Sequence, residues 1–163
     1  MTTTNNSKEE NNMTAEEKIQ KALNSGVAVS ELRVKRNQGE LTSEVLEMCK
    51  LHVDQMLEAA KKRWANSAEY IKQLEQTAEQ IKNDQEVLVI VSEFADRYEE
   101  IHMYTKFLDN KAIAHTVTTC TVRHRETDIA MSNKVISLLK SKNISDSVYS
   151  LIYAYGYRND QPA

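Results

Sequence analysis

The sequence predicts an all-α protein built on a long antiparallel helical hairpin, coiled-coil-like, with short flanking helices. Three observations predict it. Gly and Pro, the residues that β-rich folds need at their turns, are scarce: three glycines (Gly26, Gly39, Gly156) and one proline (Pro162) in 163 residues. From Ser43 to Asn83 a stripe runs Leu46, Cys49, Val53, Met56, Ala60, Trp64, Ser67, Ile71, Leu74, Ala78, Ile81 in steps of three and four, the heptad spacing that lines one side of a helix. After a candidate turn at Asn83-Asp84 a second stripe continues as Val87, Val91, Phe94, Tyr98, Ile101, Thr105, Leu108, Ala112, His115, Thr119, Val122.

Each element follows in order. Residues 1–13 are Thr, Asn, Ser and Glu with almost nothing apolar to bury, so they form a disordered tail. Thr14 and Glu17 make a capping box that opens a short helix over about 15–24, ending near Gly26. Residues 14–42 are that helix and a linker; within them 27–40 is ambiguous, with apolar residues at 27, 29, 32 and 34 and a basic cluster of Arg33, Lys35 and Arg36. The helix over 43–83 would be about 60 Å long, with one irregular step from Ala60 to Trp64. Its exposed seam demands a partner rod.

Asp84 is placed to cap the second rod. Helix-forming quality falls after Ala112, Asp109-Asn110 is a candidate break, and Thr116–Thr121 is β-branched. The hairpin as a whole spans 43–141, a short C-terminal helix capped by Ser145 and stopped by Gly156 lies within 142–158, and 159–163 is a tail. The expected seam residues are Leu46, Val53, Met56, Trp64, Ile71, Leu74, Phe94, Tyr98, Ile101 and Leu108.

Two segments carry surplus apolar surface. Residues Val87, Leu88, Val89, Ile90 and Val91 are apolar on every side of a helix. In an unbroken hairpin they sit at the closed tip, where only another copy or a partner covers them; with a break at Asp109-Asn110 a third helix folds back over them. Tyr149, Tyr153 and Tyr157 share one face of the last helix. They dock on the bundle or form a partner-binding patch, since Tyr is enriched at interfaces.

Candidate chemistry is sparse. In the hairpin register Cys49, His52, His115 and Cys120 fall in one layer, a Cys₂His₂ set that suits tetrahedral zinc. A polar layer that merely packs and fixes register explains the same residues, and the expectation is no metal and no cofactor. Glu99 and His102 match a single Glu-x-x-His motif, where di-iron bundles need two. No Gly-rich phosphate loop and no catalytic signature is present, so no enzyme is expected.

With net charge −3 and pI about 5.8, global charge recruits neither nucleic acid nor an anionic membrane. The clusters Arg33, Lys35, Arg36 and Lys61, Lys62, Arg63 read as solvated faces. No apolar run reaches 18 residues, the N-terminus carries no hydrophobic leader, and two distant cysteines make no disulfide framework, so a cytoplasmic location is expected.

The expected function is non-enzymatic assembly: self-association and bridging of protein partners, as in a scaffold, chaperone or virion component. Two alternatives stand beside it. An oligomeric helical hairpin carrying a small C-terminal unit resembles, in general plan only, the phage small terminase subunits, which implies nucleic-acid binding. A metal-binding helical bundle is the third.

Overall fold

Helix boundaries in the computed structural model fall where the chain supplies its own caps. It describes residue 17 and residues 29–109 and 131–160, with the side chains at 103–109 and 160 left aside. The secondary structure among these residues is helices joined by short turns, with no strand. Helix α1 (Val29–Asn37) occupies the ambiguous linker. It ends in a Schellman motif: Glu40 N–H donates to Lys35 C=O, Gly39 N–H donates to Arg36 C=O, and Gly39 takes φ 82°. Helix α2 (Ser43–Arg63) starts at Thr42, whose hydroxyl accepts from Val45 N–H at 3.2 Å.

The expected single helix over 43–83 is two helices. The chain turns at Trp64–Ser67 and continues as α3 (Ala68–Lys82). Ion pairs Lys61–Glu75 at 3.2 Å and Asp54–Lys82 at 2.8 Å show α3 running back along α2. The bend falls just after the one irregular step of the stripe. Asn66 and Ser67 favour turns and caps locally, and the return encloses Val53, Met56, Leu74, Ala78 and Ile81, all buried. A continuous rod would leave those faces waiting for another surface.

Helix α4 (Gln85–Asp109) begins where expected, with Val87 N–H donating to Asp84 Oδ1 at 3.2 Å. Residues 131–141 form α5, closed by a second Schellman pattern in which Asn143 (φ 56°) takes the position usually held by Gly. Lys142 reaches Asp84 at 3.2 Å and Glu86 at 3.9 Å, fixing the end of α5 beside the start of α4. Helix α6 (Ser147–Gly156) follows, with Ser147 N–H donating to Ser145 Oγ, then a 3₁₀ turn at Arg158–Asp160.

The all-α expectation stands, but the layout departs from two long rods. Helix α6, expected as a flanking element, packs against α2, α3 and α4 together. Its Val148, Leu151, Ile152, Ala154 and Tyr155 are all buried. A ten-residue helix apolar on most sides is stable only inside a bundle. Gly156 makes the fit close: a Cβ there would stand 2.7 Å from Tyr98 Cδ1. The helix ends at Gly156 as expected, and the same glycine lets it approach α4.

Candidate functional site

The residues expected to form a sticky tip lie in the core. Val87, Leu88, Ile90 and Val91 are buried within the one chain, and Val89 packs partly against the same cluster. Val135 and Leu139 of α5 belong to that cluster. The internal cover, not a second copy, accounts for this segment. Of the expected seam, Val53, Met56, Leu74 and Phe94 are buried, while Leu46, Trp64, Ile71, Tyr98 and Ile101 are half-buried; the Leu108 side chain lies outside the described residues.

The Cys/His layer is likewise rearranged. His115 and Cys120 lie outside the described residues. Cys49 and His52 face α4, where they meet Ser92 and Asp96 in a buried polar network. Arg36 Nη1 donates to Ser92 Oγ at 2.9 Å and stands 2.8 Å from Asp96 Oδ2. Ser92 Oγ lies 2.8 Å from His52 Nδ1, and His52 Nε2 lies 3.5 Å from Asp96 Oδ1. Tyr155 meets the imidazole edge-on at 4.7 Å. Arg33 Nε adds a second cation 3.4 Å from Asp96.

Burial first, and then the fields of Arg36, Arg33 and Arg158 working against Asp96, lowers His52 to about 4. The imidazole is therefore neutral at pH 7. With Arg36 donating to Ser92 Oγ, the hydroxyl proton is free to donate to Nδ1, leaving Nε2–H directed toward Asp96. Burial also pushes the Cys49 thiol up, so it is a packing group rather than a thiolate.

Ser92, His52 and Asp96 are the residue types of an acyl-transfer triad. Ser92 is completely buried and already accepts from Arg36, so no substrate carbonyl reaches its oxygen. The grouping holds α1, α2 and α4 together. Among the described residues no three His, Cys, Asp or Glu side chains are grouped as metal ligands. Glu99 pairs with Arg158, and the His102 ring lies tilted against Tyr157 at 3.8 Å.

The opposite side of α6 is aromatic and open. Trp64, Phe94, Tyr98, Tyr149 and Tyr153, with Val135, Ile136 and Ile152, line a groove of about 400 Å³. Tyr149 and Tyr153 are 38% and 36% exposed, among the largest apolar side chains left to solvent. Tyr153 stacks on Tyr157 at 4.6 Å, and the Arg63 guanidinium covers Tyr153 at 4.6 Å. Tyr70, in edge contact with Trp64, hydrogen-bonds Ser150 and ties α3 to α6.

The three tyrosines thus share a face as expected. Trp64 and Tyr98, read as seam, become walls of the groove. Sequence reasoning missed the Arg36–Asp96–Ser92 network. Its one local signal was Leu32 and Arg36 four apart, which put a basic residue on the inward face of α1. In the second basic cluster Lys61 pairs with Glu75 and Arg63 lies over the Tyr153 ring.

No family model matches the chain, and no curated protein or solved structure does. No helix among the described residues is long and apolar enough to cross a membrane.

Proposed function

We propose that this chain is a non-enzymatic assembly protein that self-associates and bridges protein partners through the aromatic groove beside α6. The observation that carries the reading is the groove itself. It is walled by Trp64, Phe94 and Tyr98 and edged by Tyr149 and Tyr153 at more than a third exposure. Aromatic side chains that are rigid, amphipathic and already stacked lose little entropy on binding, which makes them interface anchors. Burial of Ser92 and Cys49 supports the non-enzymatic part, because no incoming substrate reaches those two groups.

A second copy of the chain is the first occupant to test. Mass in solution, measured across a concentration series, should exceed the 18.7 kDa of one chain and fall toward it on dilution. Tyr149→Glu with Tyr153→Ser should abolish the concentration dependence while leaving the helical signal intact. A wild-type protein that stays at one chain mass at every concentration removes self-association. Substitutions at Ile90 do not test this, since that side chain is core and its replacement by Glu unfolds the protein.

A further inference from the structure

We propose that the cavity between α1, α2 and the C-terminal end of α6 binds a small monoanion, a carboxylate carried on a short aliphatic body. The cavity measures about 490 Å³, within the roughly 300–1,000 Å³ of ligand pockets. Its lining is divided in character. Val29, Met48, Leu51, Ala59 and the Tyr155 ring supply an apolar floor, while Arg33, Lys62 and Arg158 supply cations and Glu58 one carboxylate.

Among the described residues the charges leave one cation over. Asp96 is shared by Arg36 and Arg33, and Glu99 is taken by Arg158. Counting Glu58 and Lys62, four cations stand against three carboxylates, with His52 neutral. Arg33 is the cation with half a partner: it is 3.4 Å from a carboxylate that Arg36 holds at 2.8 Å, and its side chain is 46% exposed. The Arg158 guanidinium lies over the Tyr155 ring at 3.9 Å. Its charge is disfavoured first by burial and then by Arg33, so the two guanidiniums repel each other at this cavity. A bound anion relieves that repulsion.

A second observation points the same way. His52 lines the cavity, is only 5% exposed, and its Nε2 has no hydrogen-bond partner within the described structure. Asp96 Oδ1 at 3.5 Å is too far for a good bond. A ligand oxygen in the cavity gives that N–H an acceptor, while the aliphatic body covers Met48, Leu51 and Ala59.

The test is calorimetric titration of the full chain at neutral pH and low salt with three probes: octanoate, octan-1-ol and inorganic phosphate. Octanoate should bind with one equivalent and raise the melting temperature, and octan-1-ol and phosphate should each bind about tenfold or more weakly. Arg33→Gln should weaken octanoate by about tenfold, whereas Tyr149→Ser, in the aromatic groove, should leave it unchanged. Amide shifts at Met48, Leu51 and Ala59 should locate the probe. The proposal is overturned if octanoate gives neither heat nor stabilisation. It is also overturned if octan-1-ol or phosphate binds as tightly, or if both Arg33→Gln and Lys62→Gln bind octanoate like the wild type.

Discussion

Tyr155 and Tyr153 stand two residues apart on α6 and lead opposite lives. Tyr155 is 3% exposed, pressed edge-on to His52 with Arg158 laid across its ring. Tyr153 is 36% exposed, stacked on Tyr157 and covered on one side by Arg63. One side of the helix seals a charged network against water, and the other keeps an aromatic groove open. The difference teaches that residue type does not assign a role here: geometry around α6 does. On the sealed side Arg36 and Asp96 are fixed by each other, so their loss is felt as stability. Rings on the open side are only partly committed, so their loss is felt as binding.

That contrast can be broken at graded strengths. The largest effect should come from Asp96→Asn, which leaves the Arg36 side chain, 2% exposed, without its counter-charge. Removing one partner of a buried pair costs about 3–5 kcal/mol, read as a fall in the urea midpoint at constant slope. Replacing both partners together, Arg36→Met with Asp96→Leu, should cost clearly less. If the single and double variants are equally destabilised, the pair is not what holds α1 to α4.

Acid should act next. His52 is lowered from 6.5 to about 4 by burial, so its folded state resists protonation. The unfolded chain then binds more protons between those values, and stability present above pH 6.5 is lost as pH falls toward 4. The loss approaches about 3 kcal/mol. His52→Gln, which cannot titrate, should flatten that part of the stability–pH curve. An unchanged slope in the variant would assign the acid sensitivity to other groups.

Smaller effects probe the join between the two sides. Gly156→Ala drives a methyl into Tyr98 and should cost about 1–3 kcal/mol by overpacking, visible as a lower melting temperature. It should also disturb the groove, because Tyr98 is one of its walls. Least destabilising of all should be Tyr153→Ala, at about 0.5–1 kcal/mol for a partly exposed stacked ring. Its signature is instead a loss of concentration-dependent mass. A Tyr153→Ala protein that is strongly destabilised yet associates normally would erase the distinction between the sealed and open sides.

Several parts of this were legible in the chain. Scarce Gly and Pro gave helices, Asp84 announced its cap, and the four-residue spacing of Tyr149, Tyr153 and Tyr157 put them on a shared face. The irregular step at Ala60–Trp64 marked the bend, yet periodicity alone treats such a step as a tolerable stutter. Burial on all sides of Val87–Val91 was also readable, but not its cause. A helix apolar all round must be covered, and nothing local says whether the cover comes from α5 and α6 or from another molecule. The network escaped notice because Arg36, His52, Ser92 and Asp96 come from three helices and carry no shared motif.

By itself, then, the sequence determined what is local: that the chain is helical, that Asp84 opens α4, and which faces are apolar. Periodicity and capping depend on neighbours within a turn or two, so a linear reading reaches them. Only the tertiary structure decided which faces meet. It folded α3 back on α2, drew α6 inward through Gly156, and set Arg36 against Asp96 and Trp64 beside Tyr153. Those choices rest on the competition among apolar faces for burial, a non-directional force with no signature in any single segment.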